Sequence, residues 1–460
     1  MSDRIDAVLA RGLDTRAVVM GTDVLGRTGE LFTQLFGEAR GVLVADENTW
    51  GAAGAATQAA LVAAGVALDD PVIYPGRPVL FADEHAVADL AGRLAATDAV
   101  PVSIASGSLN DITKLASHLS GRSYLNVCTA ASVDGYTSFG AAITVDGIKG
   151  TRDCPAPRGV IVPLDVMAAA PTRLTATGYG DLIEKVPGGA DWIVADELGL
   201  DPIDDGVWNL VQGPLRQALG DPAGLAAGAA PAIADLAEGL IMSGLAMQVL
   251  GTSRPASGAG HYFSHQWEME GLGRSWDPPL SHGFKVGLGT VAMCALLERV
   301  LDLDLAHVDS DARLARWGTL AEREARVRAL QPNPVIAAAA VEQSAAKWLT
   351  PDQARARLAL IAARWSSIRT RIAAQQLPAR VVEQMLRDVG AVHHPAQIGL
   401  TLTDLHRTYF QAQTIRTRYT VLDLLAETGY LRETVDSLFA PGGYWYSRAG
   451  EFADGPGGAS

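Results

Sequence analysis

The feature that most narrows the fold of this chain is the spacing of short β-branched runs along its first third. Residues 17–20, 41–45, 71–74, 100–104 and 124–127 each read as a buried strand, and residues 25–36, 51–67, 84–96 and 111–119 read as helices between them. Strands that alternate with helix-length segments build a parallel sheet, because parallel neighbours need a long crossover connection. A sixth run, 160–164, extends the pattern. After Ala170-Pro171 the character changes, and segments 174–185, 233–250, 285–301, 312–330, 352–376, 379–388 and 414–428 read as helices. The expected architecture is an α/β domain with a parallel sheet over 1–168, an all-α domain over 169–449 and a Gly-rich tail over 450–460.

At 460 residues the chain exceeds what one core serves, which agrees with two domains. Its net charge of -14 opposes nucleic acid or an anionic membrane as the main partner. An anionic substrate would therefore need a local cluster of cations. The three cysteines, Cys128, Cys154 and Cys294, have no CxxC spacing, so they point to a reducing compartment and supply no cysteine metal cluster. The N-terminus carries acids where a secretion signal needs basic and then apolar residues, and the expected location is cytoplasmic. The longest charge-free run, 48–68, approaches membrane-span length, but it is alanine-rich and broken by glycines. A helix packed on the sheet is expected there, and no membrane span.

Three of the nine histidines fall between 261 and 282. His261 and His265 are four apart, so a helix places both imidazoles on one face, roughly 6 Å apart at Cβ. His282 precedes Gly283 at an expected loop-to-helix junction. Neutral imidazoles converging on one point suggest a metal site. Asp181 reads either as a first-turn carboxylate favoured by the helix dipole or as a third ligand. One carboxylate with two imidazoles leaves a coordination position open for substrate, the pattern of a catalytic metal. Zn, Fe(II) and Ni(II) all suit such a donor set.

Two further segments read as cofactor contacts. Ala105-Ser106-Gly107-Ser108-Leu109-Asn110-Asp111 follows a strand and opens a helix, where backbone amides can approach a pyrophosphate; an ordinary strand-to-helix turn looks the same. Asp46 ends another strand, where a carboxylate can accept hydrogen bonds from an adenosine ribose and would repel a 2′-phosphate, favouring NAD over NADP. The segment 129–138 gathers hydroxyls and Asp134 at the same sheet edge, as either a capped turn or a cofactor loop.

Taken in order, these segments resemble the iron-containing alcohol dehydrogenase and dehydroquinate synthase superfamily, in which an acid, then HxxxH, then HG recur. The runs 106–114, 129–138, 178–185, 257–268 and 282–287, with Asp191-Trp192 and 416–423, are similar to the sn-glycerol-1-phosphate dehydrogenases, in their bacterial branch. The resemblance implies a Rossmann-like N-terminal domain for the nicotinamide cofactor, NAD or NADP, and a helical domain for one divalent metal. It places Gly107, Ser108, Leu109, Asn110 and Asp111 on the dinucleotide phosphates, and Thr129, Ala130, Ala131, Ser132 and Ser138 on the cofactor. It makes Asp181, His261 and His282 the metal ligands, and sets Asp134, Asp181 and His265 at the substrate.

The implied reaction interconverts dihydroxyacetone phosphate and sn-glycerol 1-phosphate by hydride transfer, with His265 orienting substrate or relaying a proton. The candidates for the substrate phosphate are Lys149, Arg152, Lys185 and Lys285. Lys185 is preferred because it lies one helical turn after Asp181. The rival readings are a glycerol-type polyol dehydrogenase, a carbocycle-forming lyase of the dehydroquinate synthase kind, and a binding protein that has lost catalysis. The partner is expected to be a small phosphorylated triose, and the assembly a homo-oligomer, a dimer or larger.

Overall fold

The computed structural model describes residues 3–450. Among the described residues there are eight strands: β1 (Ala17–Gly21), β2 (Gly41–Asp46), β3 (Val72–Tyr74), β4 (Val100–Ala105), β5 (Leu125–Cys128), β6 (Ala141–Val145), β7 (Ile148–Arg152) and β8 (Gly159–Pro163). Six of them make one all-parallel sheet in the order β1-β8-β5-β4-β2-β3. The side-chain period of two sorts the strand residues onto two buried faces. Leu43 and Ala45 pack with Leu31, Phe32 and Leu61 on one side, whereas Val42 and Val44 pack with Val87, Leu90 and Ile112 on the other. That double burial is why the strands read as continuous apolar runs.

The register aligns the carboxyl ends of the central strands. Val44 lies beside Ser103, and Ala105 beside Cys128. The residues that follow β2, β4 and β5 therefore share one edge, where ligands of open parallel sheets bind.

Beyond β8 the described chain is helical, and its largest apolar cluster also takes in Val18, Val160 and Val162 from the sheet. The six helices that build the site are α1 (Gly107–Leu119), α2 (Thr172–Ile183), α3 (Lys185–Glu197), α4 (Ala230–Leu250), α5 (Ala259–Met269) and α6 (His282–Val300). By length and composition α4 could cross a membrane, and 67% of its most apolar window is buried within the protein.

Several boundaries differ from the sequence reading. α1 begins at Gly107, four residues before the expected start at Asp111. The expected 312–330 helix is two, Ser310–Leu314 and Leu320–Leu330, because Gly318 takes a left-handed φ of 77° between them and Thr319 caps the second. The helix expected over 414–428 forms only at Val421–Thr428, so 413–420 is a loop. The helix from Thr172 breaks at Glu184 and restarts as α3, whose third residue, Pro187, is tolerated because a first-turn N–H needs no partner. The antiparallel hairpin β6–β7 was not expected. Its turn is Asp146-Gly147, both at positive φ, the dipeptide that two-residue hairpin turns favour. The Gly-rich tail expected over 450–460 lies, after Gly450, outside the described residues.

Candidate active site

Asp181 is on α2, His261 and His265 are on α5, and His282 opens α6. Close helix crossings bring them together. A Cβ on Gly180 would run into the Gly283 carbonyl, and one on Gly289 into the Gly260 carbonyl, so α6 meets both α2 and α5 backbone to backbone. As a result, ligand atoms of Asp181, His261 and His282 all lie within 4.8 Å of one another. The three imidazole rings form a triangle, with centroids 6.2 Å apart for His261–His265, 5.5 Å for His261–His282 and 5.7 Å for His265–His282.

The donor set fits a divalent ion. His282 Nδ1 lies 2.8 Å from Glu268 Oε1 and 3.1 Å from Ser264 Oγ. Glu268 is held well below the usual carboxylate range: burial would raise it, but Lys149, His282 and Lys285 outweigh that effect. An ionised carboxylate only accepts, so the His282 proton belongs on Nδ1 and the Nε2 lone pair is left for a metal. His261 Nε2 lies 3.2 Å from Asp181 Oδ1, while Glu184 Oε2 stands 2.9 Å from its Nδ1 as an ion-pair contact. Burial lowers the proton affinity of His261, but Glu184 and Asp181 outweigh it and raise the pKa to about 9. Without a metal, a proton thus occupies the space between Nε2 and Asp181. Burial pushes Asp181 up, yet Lys185, His261 and His282 hold its carboxyl far below the ordinary range.

Glu184 and Asp191 carry the N-terminus of α5. Glu184 Oε1 accepts from the Gly258 N–H at 2.9 Å, and Asp191 Oδ2 from the Ala259 N–H at 2.6 Å. Asp191 Oδ1 accepts from the Val421 N–H at 2.7 Å, which joins this helix to the C-terminal region.

Asp134 bridges the sheet edge to the ligand cluster. Its N–H donates to Asp181 Oδ2 at 3.1 Å, and its Oδ2 takes Lys185 Nζ at 2.7 Å and the Ser243 hydroxyl at 2.9 Å. Lys185 is fully buried, also lies 3.6 Å from Asp181 Oδ1, and donates to the Asp181 carbonyl at 2.9 Å. Burial would lower its pKa, but Asp134 and Asp181 raise it, so it is a buried, balanced ammonium.

Residues expected at the cofactor divide into two groups. Gly107 and Ser108 stand at the open first turn of α1, and Asp46 sits on the neighbouring strand end, where its Oδ1 caps the Thr49 N–H at 2.9 Å. Leu109 turns into the core instead. Asn110 is fully buried, accepting from the Tyr124 hydroxyl at 2.9 Å and donating to the Gly135 carbonyl at 3.2 Å. Asp111 Oδ2 accepts from the Ala142 N–H at 3.3 Å. In the loop after β5, Thr129, Ala130, Ala131, Ser132 and Ser138 are all buried. Ser132 Oγ lies 3.1 Å from the Tyr136 hydroxyl, and Ser138 Oγ accepts from Lys114 at 3.0 Å. Lys114 also donates to the carbonyls of Gly135, Ser138 and Gly140 at 2.9, 2.9 and 3.0 Å, stapling the loop to α1.

His265 faces a cavity of about 440 Å³ that is also lined by Lys149, Arg416 and Arg418. Burial, aided by Arg416, holds its imidazole well below the ordinary pKa despite Glu268 at 3.5 Å. An imidazole kept neutral suits hydrogen bonding rather than the proton relay that an unshifted pKa would allow. Of the other phosphate candidates, Lys149 Nζ pairs with Glu268 at 3.1 Å, Lys285 lies 3.7 Å from the same carboxylate, and Arg152 is exposed. Sequence reasoning missed Glu268, although it follows His261 at i+7 and His265 at i+3 and so shares their helix face. It also missed Glu184, one turn after Asp181.

Residues 19–171 match the iron-containing alcohol dehydrogenase family. A relative from Geobacillus stearothermophilus is 30% identical over 329 residues, covering 71% of this chain and 72% of the relative. The chain belongs to the iron-containing alcohol dehydrogenase family. The Geobacillus relative is named glycerol-1-phosphate dehydrogenase (NAD(P)+), as is one from Halalkalibacterium halodurans that is 36% identical over 255 residues, 55% of this chain. The chain spans 64% of the length of that second relative. Among solved structures, a probable glycerol dehydrogenase from Sinorhizobium meliloti superposes with a TM-score of 0.58 at 15% identity, covering 92% of this chain and 98% of that one. NADH-dependent butanol dehydrogenase A from Thermotoga maritima gives 0.58 at 13% identity, covering 92% and 96%. At such identity these two establish the shared fold alone.

Proposed function

We propose that this protein is a metal-dependent, NAD(P)-linked dehydrogenase that interconverts dihydroxyacetone phosphate and sn-glycerol 1-phosphate. The observation that carries the reading is the convergence of Asp181, His261 and His282 beside the cofactor edge of the sheet. The names of its relatives support it. Residues 1–168 are read as the dinucleotide-binding half and 169–449 as the half that holds the metal.

Asp181, His261 and His282 would hold the ion, with Glu184 and Glu268 fixing the two imidazoles from behind. When bound, a divalent ion polarises the substrate oxygen and the nicotinamide supplies or takes up hydride. Lys185 pairs with both Asp134 and Asp181 and holds them side by side, so Asp134 can accept from a substrate hydroxyl. His265, held neutral, orients the substrate through a hydrogen bond. The first turn of α1 offers free N–H groups to the dinucleotide phosphates, and Asp46 keeps one oxygen for a ribose, which favours NAD. Zn, Fe(II) and Ni(II) remain the metal candidates, and we place the enzyme in the cytoplasm as a homo-oligomer.

The test is a coupled assay with metal analysis. NADH oxidation should require both dihydroxyacetone phosphate and a divalent metal. Equal turnover of unphosphorylated dihydroxyacetone would sink the phosphate assignment, and consumption of the phosphate ester without loss of NADH absorbance would favour the lyase. His261→Ala should lose the metal, whereas His265→Ala should retain it and turn over slowly.

A further inference from the structure

The cavity before His265 carries positive charge that the ligand cluster does not use. The β6–β7 hairpin, α5, helix Pro334–Ala346 and the 413–420 loop enclose it. Arg416 donates to the carbonyls of Ile415 and Lys149, both at 3.0 Å. Arg418 donates to the Ser257 carbonyl and the Ser253 hydroxyl, both at 2.7 Å. Every one of these acceptors is neutral, and among the described residues neither guanidinium has a carboxylate within ion-pair distance. Glu268 makes its close ion pairs with Lys149 and Lys285 and acts on Arg416 only from longer range. Burial lowers the pKa of Arg416, so its charge is desolvated as well as unpaired. Half-buried cations facing an enclosed space are unexpected in a chain of net charge -14 unless something anionic enters. Lys185 cannot serve in their place, because its ammonium is already committed to Asp134 and Asp181.

We infer that Arg416 and Arg418 form the seat for the phosphate of a small phosphomonoester whose other end reaches His265 and the ligand cluster. This rests on the function proposed above for the identity of that other end. Planar guanidiniums match phosphate oxygens in a paired geometry that an ammonium cannot reproduce. The seat is assembled across the cleft, because Arg416 bonds the hairpin carbonyl of Lys149.

The test uses the full-length zinc-loaded protein with Arg416→Gln, Arg418→Gln and the charge-keeping Arg416→Lys. The preference for dihydroxyacetone phosphate over dihydroxyacetone, as a ratio of kcat/KM, should fall about a hundredfold in the glutamine variants, the loss expected when a buried charge partner is removed. Arg416→Lys should fall less, and it keeps the test open if a glutamine variant does not fold. Calorimetry with inorganic phosphate should show binding to the wild type and loss in Arg416→Gln. A changed KM for NADPH with an unchanged substrate ratio would give the seat to the nucleotide and overturn the inference, as would phosphate binding that survives both glutamine substitutions. If the wild type ignores dihydroxyacetone phosphate yet loses phosphate binding in the variants, the seat stands and the proposed function falls. If the wild type reduces it and the variants keep the preference, the reverse holds.

Discussion

Replacing Gly258 with alanine puts a methyl group where the histidine helix meets α3. The added Cβ would stand 2.5 Å from Asp191 Oδ2, 2.6 Å from Gly188 Cα and 3.0 Å from Glu184 Oε1. Ordinary contact begins near 3.4 Å, so α5 must retreat about 0.8 Å from the Gly188 backbone. The two carboxylates cannot swing aside freely, because they accept the Gly258 and Ala259 N–H groups. Overpacking costs about 1–3 kcal/mol and a weakened helix cap about 1 kcal/mol, which gives ~3 kcal/mol in all. A shift of that size also exceeds what a metal site tolerates, so affinity for zinc should fall ~10–100-fold. Melting of the metal-free protein and competition with a chromophoric chelator measure the two effects separately. Gly92→Ala, inside the helix Glu84–Ala95, is the control: its Cβ would meet nothing within 4 Å, and it should stabilise by about 0.5–1 kcal/mol. Should Gly258→Ala match the wild type in both melting and zinc affinity, the helix-to-helix account of the site is refuted.

Other outcomes follow from the same geometry. Lys114→Met strands three loop carbonyls and should cost ~3–5 kcal/mol in urea unfolding, a figure that an unshifted midpoint would rule out. His261 has its pKa raised from 6.5 to about 9 in the metal-free fold, so the stability it contributes is complete below about 6.5 and lost as pH rises through about 9. The melting temperature of metal-free protein should therefore fall across that window and hold steadier with zinc present; a rise instead would contradict the assignment. Cys128, Cys154 and Cys294 are buried, and burial raises all three thiols, Cys154 to about 12. A thiol reagent at pH 8 should label none of them in the native protein and all three after denaturation.

The parallel sheet was legible because its strands are buried on both faces, which writes Val and Ile runs into the sequence without regard to distant partners. The hairpin was missed although Asp146-Gly147 announced it, since β7 shows little apolar alternation around Lys149 and Thr151. The histidines showed themselves in local spacing: His261 and His265 share a helix face, and His282 begins the next helix, whereas Asp181, 80 positions from His261, joined them only through the resemblance. The supporting groups were less legible. Glu184 and Asp191 act on Gly258 and Ala259, 74 and 68 positions away, and Arg416 reaches Lys149 across 267 positions. Such pairings arise from how helices cross, which no window of sequence displays. Lys185 shows the opposite error: its spacing from Asp181 was read correctly, but its burial beside Asp134 lay beyond the local pattern.

The double grip of Asp191 has a consequence for how the molecule is made. It fastens Ala259 with one oxygen and Val421, 230 positions ahead in the chain, with the other. As the polypeptide leaves the ribosome, the sheet can close early, while the helix bearing His261 waits for this tether until Val421 has emerged. A premature stop codon before position 421 would thus yield a product with a complete parallel sheet and an untethered His261 helix.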